Sequence, residues 1–597
     1  MKPKTNNYKL GTADQAKEKE KGVLGTAWKR LVPLMAQEKK SVIIALFAIF
    51  ISSASTLIAP VIIAHTIDIY IQNKIFSGVL EFTGILVVIY LVGLIASYIQ
   101  IRVMGGVGRR VLFSLRNAIF SKLSALPVAF FNQNKAGDLI SRINNDTDKL
   151  NQFFAQALMQ FIGSAALIVG AGIFLLVINW KLGLASLVPA ILVLILTQLL
   201  SPWVKRTSLK SLRTLGGMSG EISESLNNFK VIVAFNRLDY FRDKFKETNE
   251  ANYAASISAG IASNTFTPIY TLASTLGQLI VLAYGIYLIT AGHFTLGLLI
   301  GFILYVNNFY TPLRQLAQVW SSLQLALAGL DRISEVLALE SDMPIMVSSL
   351  ASPERAEAGP IIEFKDVSFG YPGGVEILHH INIALEAGKT YALVGPTGGG
   401  KTTTASLMAR FYDPTSGTIY LNGKDIRTYS PEERSQKIGF ILQEPFLFSG
   451  TIKDNIIYGN EQYRDFTNDQ VTKLLEDNGL SALLARFSQG LDTQVASSGD
   501  SISLGQKQLI AFIRATLRRP ELLILDEATA NIDTVTEQLL EDILQKLPTS
   551  TTKVIIAHRL NTIENADQIY FVNAGQVTEA GTMEQAVDML LHGKRSS

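Results

Sequence analysis

A chain of 597 residues is too long for one ordinary domain. With 48% hydrophobic and only 17% charged residues, and a mean hydropathy of +0.27, it calls for membrane segments. A net charge of +3 is too small to argue for nucleic acid as a partner, and the lack of cysteine excludes disulfides, thiolate metal sites and cysteine nucleophiles.

Residues 1–21 are polar and expected to be mobile; without a short apolar core they do not make a cleaved secretory signal. Between Val23 and Gln37, apolar positions such as Trp28, Leu31 and Leu34 surround Lys29 and Arg30. The pattern fits an amphipathic helix on a membrane face and, equally, one packed on protein. Charge-free stretches follow at Ser41–Ile67, Phe82–Ile101, Leu150–Trp180 and Leu182–Val204, each long enough to cross a bilayer. Ala251–Leu313 has no Asp, Glu, Lys or Arg and room for two crossings, with a turn at Ala291–Thr295. That predicts six spans.

The stretches after the second and fourth spans are rich in basic residues, from Arg102 to Lys149 and from Lys205 to Lys246. The alternate loops offer only Lys74 and Lys181. The positive-inside bias therefore places the basic loops and both termini in the cytoplasm. Helical periodicity in Phe113–Leu126 and Met218–Asn249 predicts that the spans extend beyond the lipid as long helices. Their turning points are expected at Pro127–Ile140 and Glu224–Asn236, where a soluble domain can touch them.

The reading divides the chain into a tail with an interfacial helix (1–40), a six-helix region (41–330), a linker (331–359) and a soluble α/β domain (360–597). In the last two spans Gln278, Tyr284, Tyr305, Asn307 and Asn308 stand among apolar neighbours. As a set they are expected to line a mostly apolar cavity for uncharged or weakly cationic amphiphiles. Interhelical hydrogen bonding is an equal alternative for each one.

The chemistry is concentrated after Pro360. An apolar run, Tyr391–Val394, enters Gly395-Pro396-Thr397-Gly398-Gly399-Gly400-Lys401-Thr402-Thr403, with a helical segment following. This G-x-x-x-x-G-K-T spacing is that of a phosphate-binding loop. Its glycines let backbone N–H groups converge on an anion, Lys401 reaches the outer phosphates, and the Thr402 hydroxyl suits Mg²⁺. Leu522-Leu523-Ile524-Leu525-Asp526-Glu527 reads as a buried strand ending in two carboxylates. Asp526 suits Mg²⁺, and Glu527 suits the general base that polarises water. Gln443 follows the strand Ile438–Leu442 and can sense the γ-phosphate or metal; His558 follows Lys553–Ala557 and can bond the γ-phosphate or orient water, although a lone histidine is more often structural. Tyr371 can stack on a purine, although a surface tyrosine is the ordinary reading. Ser503, Leu504, Gly505 and Gln506 open a helix whose N-terminus can meet an anion.

With GPTGGGKTT, Gln443, ISLGQKQ, LLILDEATANID and IIAHRL in this order, the C-terminal half resembles the ATP-binding cassette of ABC transporters. The whole chain resembles a bacterial ABC exporter half-transporter of the multidrug type. The resemblance implies a six-span α-helical transmembrane domain followed by an α/β P-loop cassette, with ATP and Mg²⁺ as cofactors. It implies a dimer that sandwiches two ATP molecules, each between one chain's phosphate loop and the other's LSGGQ-type helix. Here Leu504 stands at a glycine of that motif, the segment Thr493–Gly499 lacks the usual acid, and Ala530 replaces a serine while Asp533 is kept. These departures point to one chain of a heterodimer with a second half-transporter. The resemblance implies export of small amphiphiles across a bacterial cell membrane, in contact with its lipid. A lipid flippase or peptide exporter is the alternative. A non-transport ATPase and an importer are disfavoured, because six spans share a chain with the cassette.

Overall fold

Among the described residues, six helical stretches are long and apolar enough to cross a membrane: Pro33–Ile71, Phe76–Ser124, Ala136–Ile178, Trp180–Asn227, Leu238–Thr290 and Leu296–Leu316. They belong to a computed structural model that describes residues 8–10, 32–341, 343–346, 359–487, 489–496, 502–527, 534–556, 566–581 and 583–592. Only helices satisfy the backbone of such apolar runs within the run itself. Two compact units result, one of residues 11–122 and 137–338, the other of 1–10, 123–136 and 339–597.

The membrane unit is built from α1 (Lys39–His65), α2 (Phe76–Ser124), α4 (Ala136–Ser141), α5 (Thr147–Gln152), α6 (Leu158–Ile178), α7 (Trp180–Asn227), α8 (Phe229–Ala234), α9 (Leu238–Asn264), α10 (Phe266–Thr290) and α11 (Leu296–Leu337). The intervening α3 (Val128–Gln133), entered through the extended Pro127, belongs to the other unit. With 49 residues at about 1.5 Å each, α2 is roughly 73 Å long, well beyond a bilayer's thickness. The chain between α7 and α9 breaks at α8, inside the stretch expected to turn.

Local chemistry sets the helix starts. The Asn179 side chain accepts the Leu182 N–H at 3.0 Å to cap α7. At α11, Thr295 caps Leu298 while Asp68, just beyond α1, accepts the Gly297 N–H at 2.7 Å. Glycine is required there: a Cβ at 297 would stand 2.2 Å from the Ala64 carbonyl oxygen. Between α4 and α5 lies a wide-pitched turn, Arg142–Asp146, that buries charge. Arg142 meets Asp138 at 3.0 Å and Glu335 at 2.7 Å, while Asp146 meets Lys149 at 2.8 Å and Arg332 at 3.0 Å. Arg142, counted among the basic loop residues in the sequence, is thus a buried member of an ion network.

In the second unit, β1 (Ile362–Gly370), β2 (Glu376–Leu385), β4 (Ser416–Leu421) and β5 (Lys424–Asp425) form an antiparallel sheet in the order β2-β1-β4-β5. Strands β3 (Thr390–Val394), β6 (Ile438–Ile441), β9 (Leu522–Asp526), β10 (Thr552–Ile556), β11 (Gln568–Asn573) and β12 (Gln576–Gly581) form the larger sheet, in the order β12-β11-β3-β10-β9-β6. All its pairings are parallel except β11 with β12. A two-stranded ribbon pairs β7 (Gly450–Thr451) with β8 (Gln494–Val495). Helices α12 (Lys401–Met408) and α13 (Leu504–Leu517) complete what the site requires. Leu523 and Leu525 pack with Leu509, Ile510 and Ile513 of α13 in a common core.

Residues 8–10 correct the expectation of a mobile tail. Tyr8 and Leu10 are buried in the second unit, where the Gln133 and Asn134 side chains accept their N–H groups at 3.0 Å. The expected helix Val23–Gln37 lies largely outside the described residues; Val32–Glu38 forms a tight helical turn.

Asp146 is fully buried, so removing one of its cations costs free energy even though Lys149 remains. Arg332→Ala should destabilise the membrane unit by about 2 kcal/mol, the scale of a hydrogen bond to a charged group. It would be read as a lower unfolding midpoint in detergent; an unchanged midpoint would mean that the network contributes nothing to stability.

Candidate functional site

The parallel register decides where the polar residues go. Leu393 of β3 pairs with Ile556 of β10, Ile556 with Asp526 of β9, and Leu525 with Ile441 of β6. The carboxyl ends of four strands therefore lie along one edge, where open α/β sheets bind ligands. The loop 395–400 leaves β3 there, Asp526 and Glu527 end β9, and Gln443 follows β6 by two residues.

The loop is shaped by the neighbouring strand. Gly395 has φ +147°, and a Cβ there would lie 2.0 Å from the carbonyl oxygen of Val572 in β11. No other residue type fits. The buried Lys401 at the first position of α12 donates to the carbonyls of Gly395 at 2.8 Å and Pro396 at 3.1 Å. Burial pushes its pKa below the ordinary lysine value, against the opposing pull of Glu527 and Asp526. Thr397, Gly398 and Thr402 stay exposed, whereas Gly399, Gly400 and Thr403 are buried.

Two further hydrogen bonds assemble the edge. The Thr402 hydroxyl donates to Asp526 Oδ1 at 3.2 Å, and the Gln443 amide donates to Glu527 Oε2 at 2.6 Å. Glu527 has φ +47°, a left-handed conformation that a residue with a Cβ seldom adopts. The Tyr371 hydroxyl meets that of Thr403 at 3.2 Å, fixing a half-buried ring beside α12. Sequence reasoning missed what holds this ring. Phe369 and Tyr412 stand edge-on to it, with centroids 5.1 Å away in both cases. An aromatic residue soon after the loop helix, in Phe411-Tyr412, was the available signal.

Ser503 and Gln506 form a reciprocal capping box at the start of α13. The Ser503 Oγ accepts the Gln506 N–H at 3.2 Å, and the Gln506 side chain accepts the Ser503 N–H at 3.0 Å. Leu504 opens the helix with its side chain exposed, and Gly505 is buried. His558, Ala530 and Asp533 lie outside the described residues.

The expected cavity residues are otherwise engaged. Gln278 donates to Asn307 at 2.7 Å, Asn308 donates to the Thr56 carbonyl at 3.4 Å, and the Tyr305 hydroxyl donates to the Leu57 carbonyl. Tyr305 is fully buried and stacks on Phe174 at 4.9 Å. Tyr284 is half-buried beside Tyr287, with ring centroids 6.0 Å apart. For Gln278, Tyr305, Asn307 and Asn308 the structure shows the interhelical hydrogen bonds held open as the alternative. These polar groups find partners on neighbouring helices, as groups in an apolar medium must. A different opening, an apolar groove of about 560 Å³, lies between α1 and α6, lined by residues including Phe50, Leu57, Phe161, Ile162 and Val169.

A phosphate-binding loop on a parallel sheet, in one chain with six membrane-crossing helices, defines an ATP-driven membrane transporter. The comparisons agree: residues 42–313 match the family described as the ABC transporter transmembrane region, and residues 378–530 match the one described as ABC transporter. The chain is 33% identical to an uncharacterized ABC transporter ATP-binding protein, YfiC, of Bacillus subtilis (strain 168), over 97% of this chain and 94% of the relative. It is 32% identical to a fatty acid ABC transporter ATP-binding/permease protein of Mycobacterium bovis, over 85% and 80% respectively. A multidrug resistance ABC transporter ATP-binding and permease protein of Lactococcus lactis subsp. lactis is 31% identical over 84% of each chain. The chain belongs to the ABC transporter family. It is an ATP-hydrolysing half-transporter and an integral membrane protein, with the transmembrane region and the cassette fused.

The close approach of Val572 yields a direct test. Gly395→Ala should abolish ATP binding, measured by equilibrium titration, while circular dichroism keeps its helical signal. ATP affinity equal to the parent's would show that the loop does not need this conformation.

Proposed function

We propose that this chain is one subunit of a heterodimeric exporter that moves amphiphilic, drug-like compounds across a bacterial cell membrane by alternating access. Both termini would be cytoplasmic, with 41–330 serving transport, 360–597 serving ATP hydrolysis and 331–359 joining them. ATP would lie on the loop 395–400, with its purine on Tyr371 and its outer phosphates against Lys401, Thr402 and Thr403. The Thr402 hydroxyl, the Asp526 carboxylate and the Gln443 amide would hold Mg²⁺, a hard cation suited to such oxygen donors. Bound there, Mg²⁺ would neutralise charge on the β- and γ-phosphates. Glu527 would take the proton of the attacking water, with His558 on the γ-phosphate.

The observation that carries the heterodimer is Leu504. It stands exposed at the start of α13, where close approach to a triphosphate favours glycine. The same chain keeps Asp526 and Glu527 at a well-formed strand end. The Ser503–Gln506 segment would therefore cover a slow ATP site on the partner's loop, while this chain's own loop forms the fast site under the partner's helix. A partner also accounts for α8 and its flank, where Phe229, Val231, Val233 and Phe235 are all exposed.

The groove between α1 and α6 favours a second reading for the cargo. Its lining is almost wholly apolar, which suits an acyl chain better than a polar drug. A lipid or fatty acid substrate fits it, in keeping with the name of the mycobacterial relative. Export of a labelled fatty acid set against a cationic dye, in proteoliposomes, separates the two readings.

Two outcomes test the ATP site. Because burial disfavours its charge, Lys401 in the free protein loses its proton at a lower pH than a solvated lysine. ATP needs the charged form, so affinity should fall as pH rises through that lowered pKa, and binding should take up protons there. Affinity unchanged from roughly pH 7 to pH 10 would contradict this role. In the complex with its partner, Glu527→Gln should keep ATP binding and lower hydrolysis by roughly 10²–10⁴-fold. The equivalent change in the partner should cost far less. Equal losses at the two positions, or an active homodimer with two equivalent sites, would refute the heterodimer.

A further inference from the structure

The aromatic group beside the loop continues outward in one direction. Tyr412 stands edge-on to Tyr371, with an interplanar angle of 84°, and its hydroxyl accepts a hydrogen bond from the Asn132 amide at 2.6 Å. Asn132 belongs to α3, which the sequence inserts between two membrane-crossing helices but which packs in the same unit as the cassette. Tyr412 is largely removed from water, so its hydroxyl needs a partner inside the protein, and Asn132 provides one.

The turn holding Asn132 is braced from its other side. Tyr8 and Leu10 donate their backbone N–H groups to Gln133 and Asn134, and Asn134 donates back to the Tyr8 carbonyl at 3.0 Å. The Tyr8 ring meets Phe130 edge-on at 6.3 Å, and its hydroxyl donates to the Glu340 carbonyl at 3.2 Å. The start of the chain, the α3 turn and residue 340 are thereby fastened together. A displacement of the Tyr371 ring has little slack to dissipate in: Thr403 holds its hydroxyl, Phe369 and Tyr412 hold its edges, and Asn132 is the next group along.

We propose that Tyr412 is a positioning residue that reports the purine stacked on Tyr371 to the α3 turn through Asn132, with Tyr8–Leu10 bracing that turn. Tyr412 acts through Tyr371 and not on the nucleotide itself. It seats Tyr371 on one side and Asn132 on the other, so the identity of the base, as distinct from the phosphates, is felt at α3. The inference rests on the reading of Tyr371 as the purine platform.

Hydrogen exchange of the full-length protein in nanodiscs tests it, with ATP and CTP as probes at saturation. In the parent, ATP should increase protection of the backbone amides of residues 128–134, and CTP should do so much less. Tyr412→Phe, which keeps the ring and loses the hydroxyl, should bind ATP within about threefold of the parent, a change under 1 kcal/mol. It should nevertheless lose the ATP-specific protection at 128–134. Asn132→Ala should do the same from the other end, and the double variant should be no worse than either single one, since both remove one contact. Protection that persists in both single variants, or that CTP induces equally in the parent, would overturn the proposal. Loss of ATP binding in Tyr412→Phe would overturn it too, by placing Tyr412 in the binding site itself. Tyr371→Ala separates the underlying reading: if the preference for ATP over CTP survives it, Tyr371 is not the purine platform, whatever Tyr412 does.

Discussion

The registry of four parallel strands is the constraint on which the site depends. β3, β10, β9 and β6 are paired so that Leu393, Ile556, Asp526 and Ile441 reach nearly the same level. A slip of one residue would turn Asp526 toward the opposite face of the sheet and separate it from Thr402. The register is specified by burial, because every residue of β9 is buried and Leu523 and Leu525 are packed against α13. Apolar packing thus places two carboxylates beside a loop that binds anions, a combination the local electrostatics alone would oppose.

Around that edge the structure accepts local costs. Glu527 takes a left-handed backbone conformation, a cost on the order of 1–2 kcal/mol for a residue with a Cβ, and the Gln443 amide holds its side chain. Lys401 is buried with its ammonium on two loop carbonyls. Those bonds satisfy the charge without neutralising it, which leaves room for a stronger, anionic partner. A Cβ at Gly395 would run into the Val572 carbonyl, so the loop passes close to β11 at a position only glycine can fill. Preorganised donors of this kind stabilise developing charge with little reorganisation.

How far the sequence could be read depends on how local each signal is. The six apolar stretches, the G-x-x-x-x-G-K-T spacing and the strand ending in Asp526 are local patterns, and the helices and strands lie where those patterns place them. The turn at Ala291–Thr295 is likewise present between α10 and α11. Contacts between distant parts of the chain were not legible. Tyr8 looks like one residue of a polar tail until Gln133 and Asn134 are brought beside it. Arg142 counts as a loop charge until α11 supplies Glu335. The partners of Tyr305 and Asn307 were likewise out of reach, because periodicity does not reveal which polar groups of two membrane helices meet. The groove between α1 and α6 is almost wholly apolar, and an apolar lining in an apolar helix carries no sequence mark.

The central claim is that nucleotide sits at the carboxyl edge of the large sheet, with its base on Tyr371. Photoaffinity labelling of the membrane-embedded protein with 8-azido-ATP, followed by mass spectrometry of its peptides, tests this most directly. The account predicts a labelled peptide containing Tyr371, with labelling suppressed by excess ATP and absent in Lys401→Ala. ATP-suppressible labelling confined to other parts of the cassette, with the Tyr371 peptide unmodified, would contradict it.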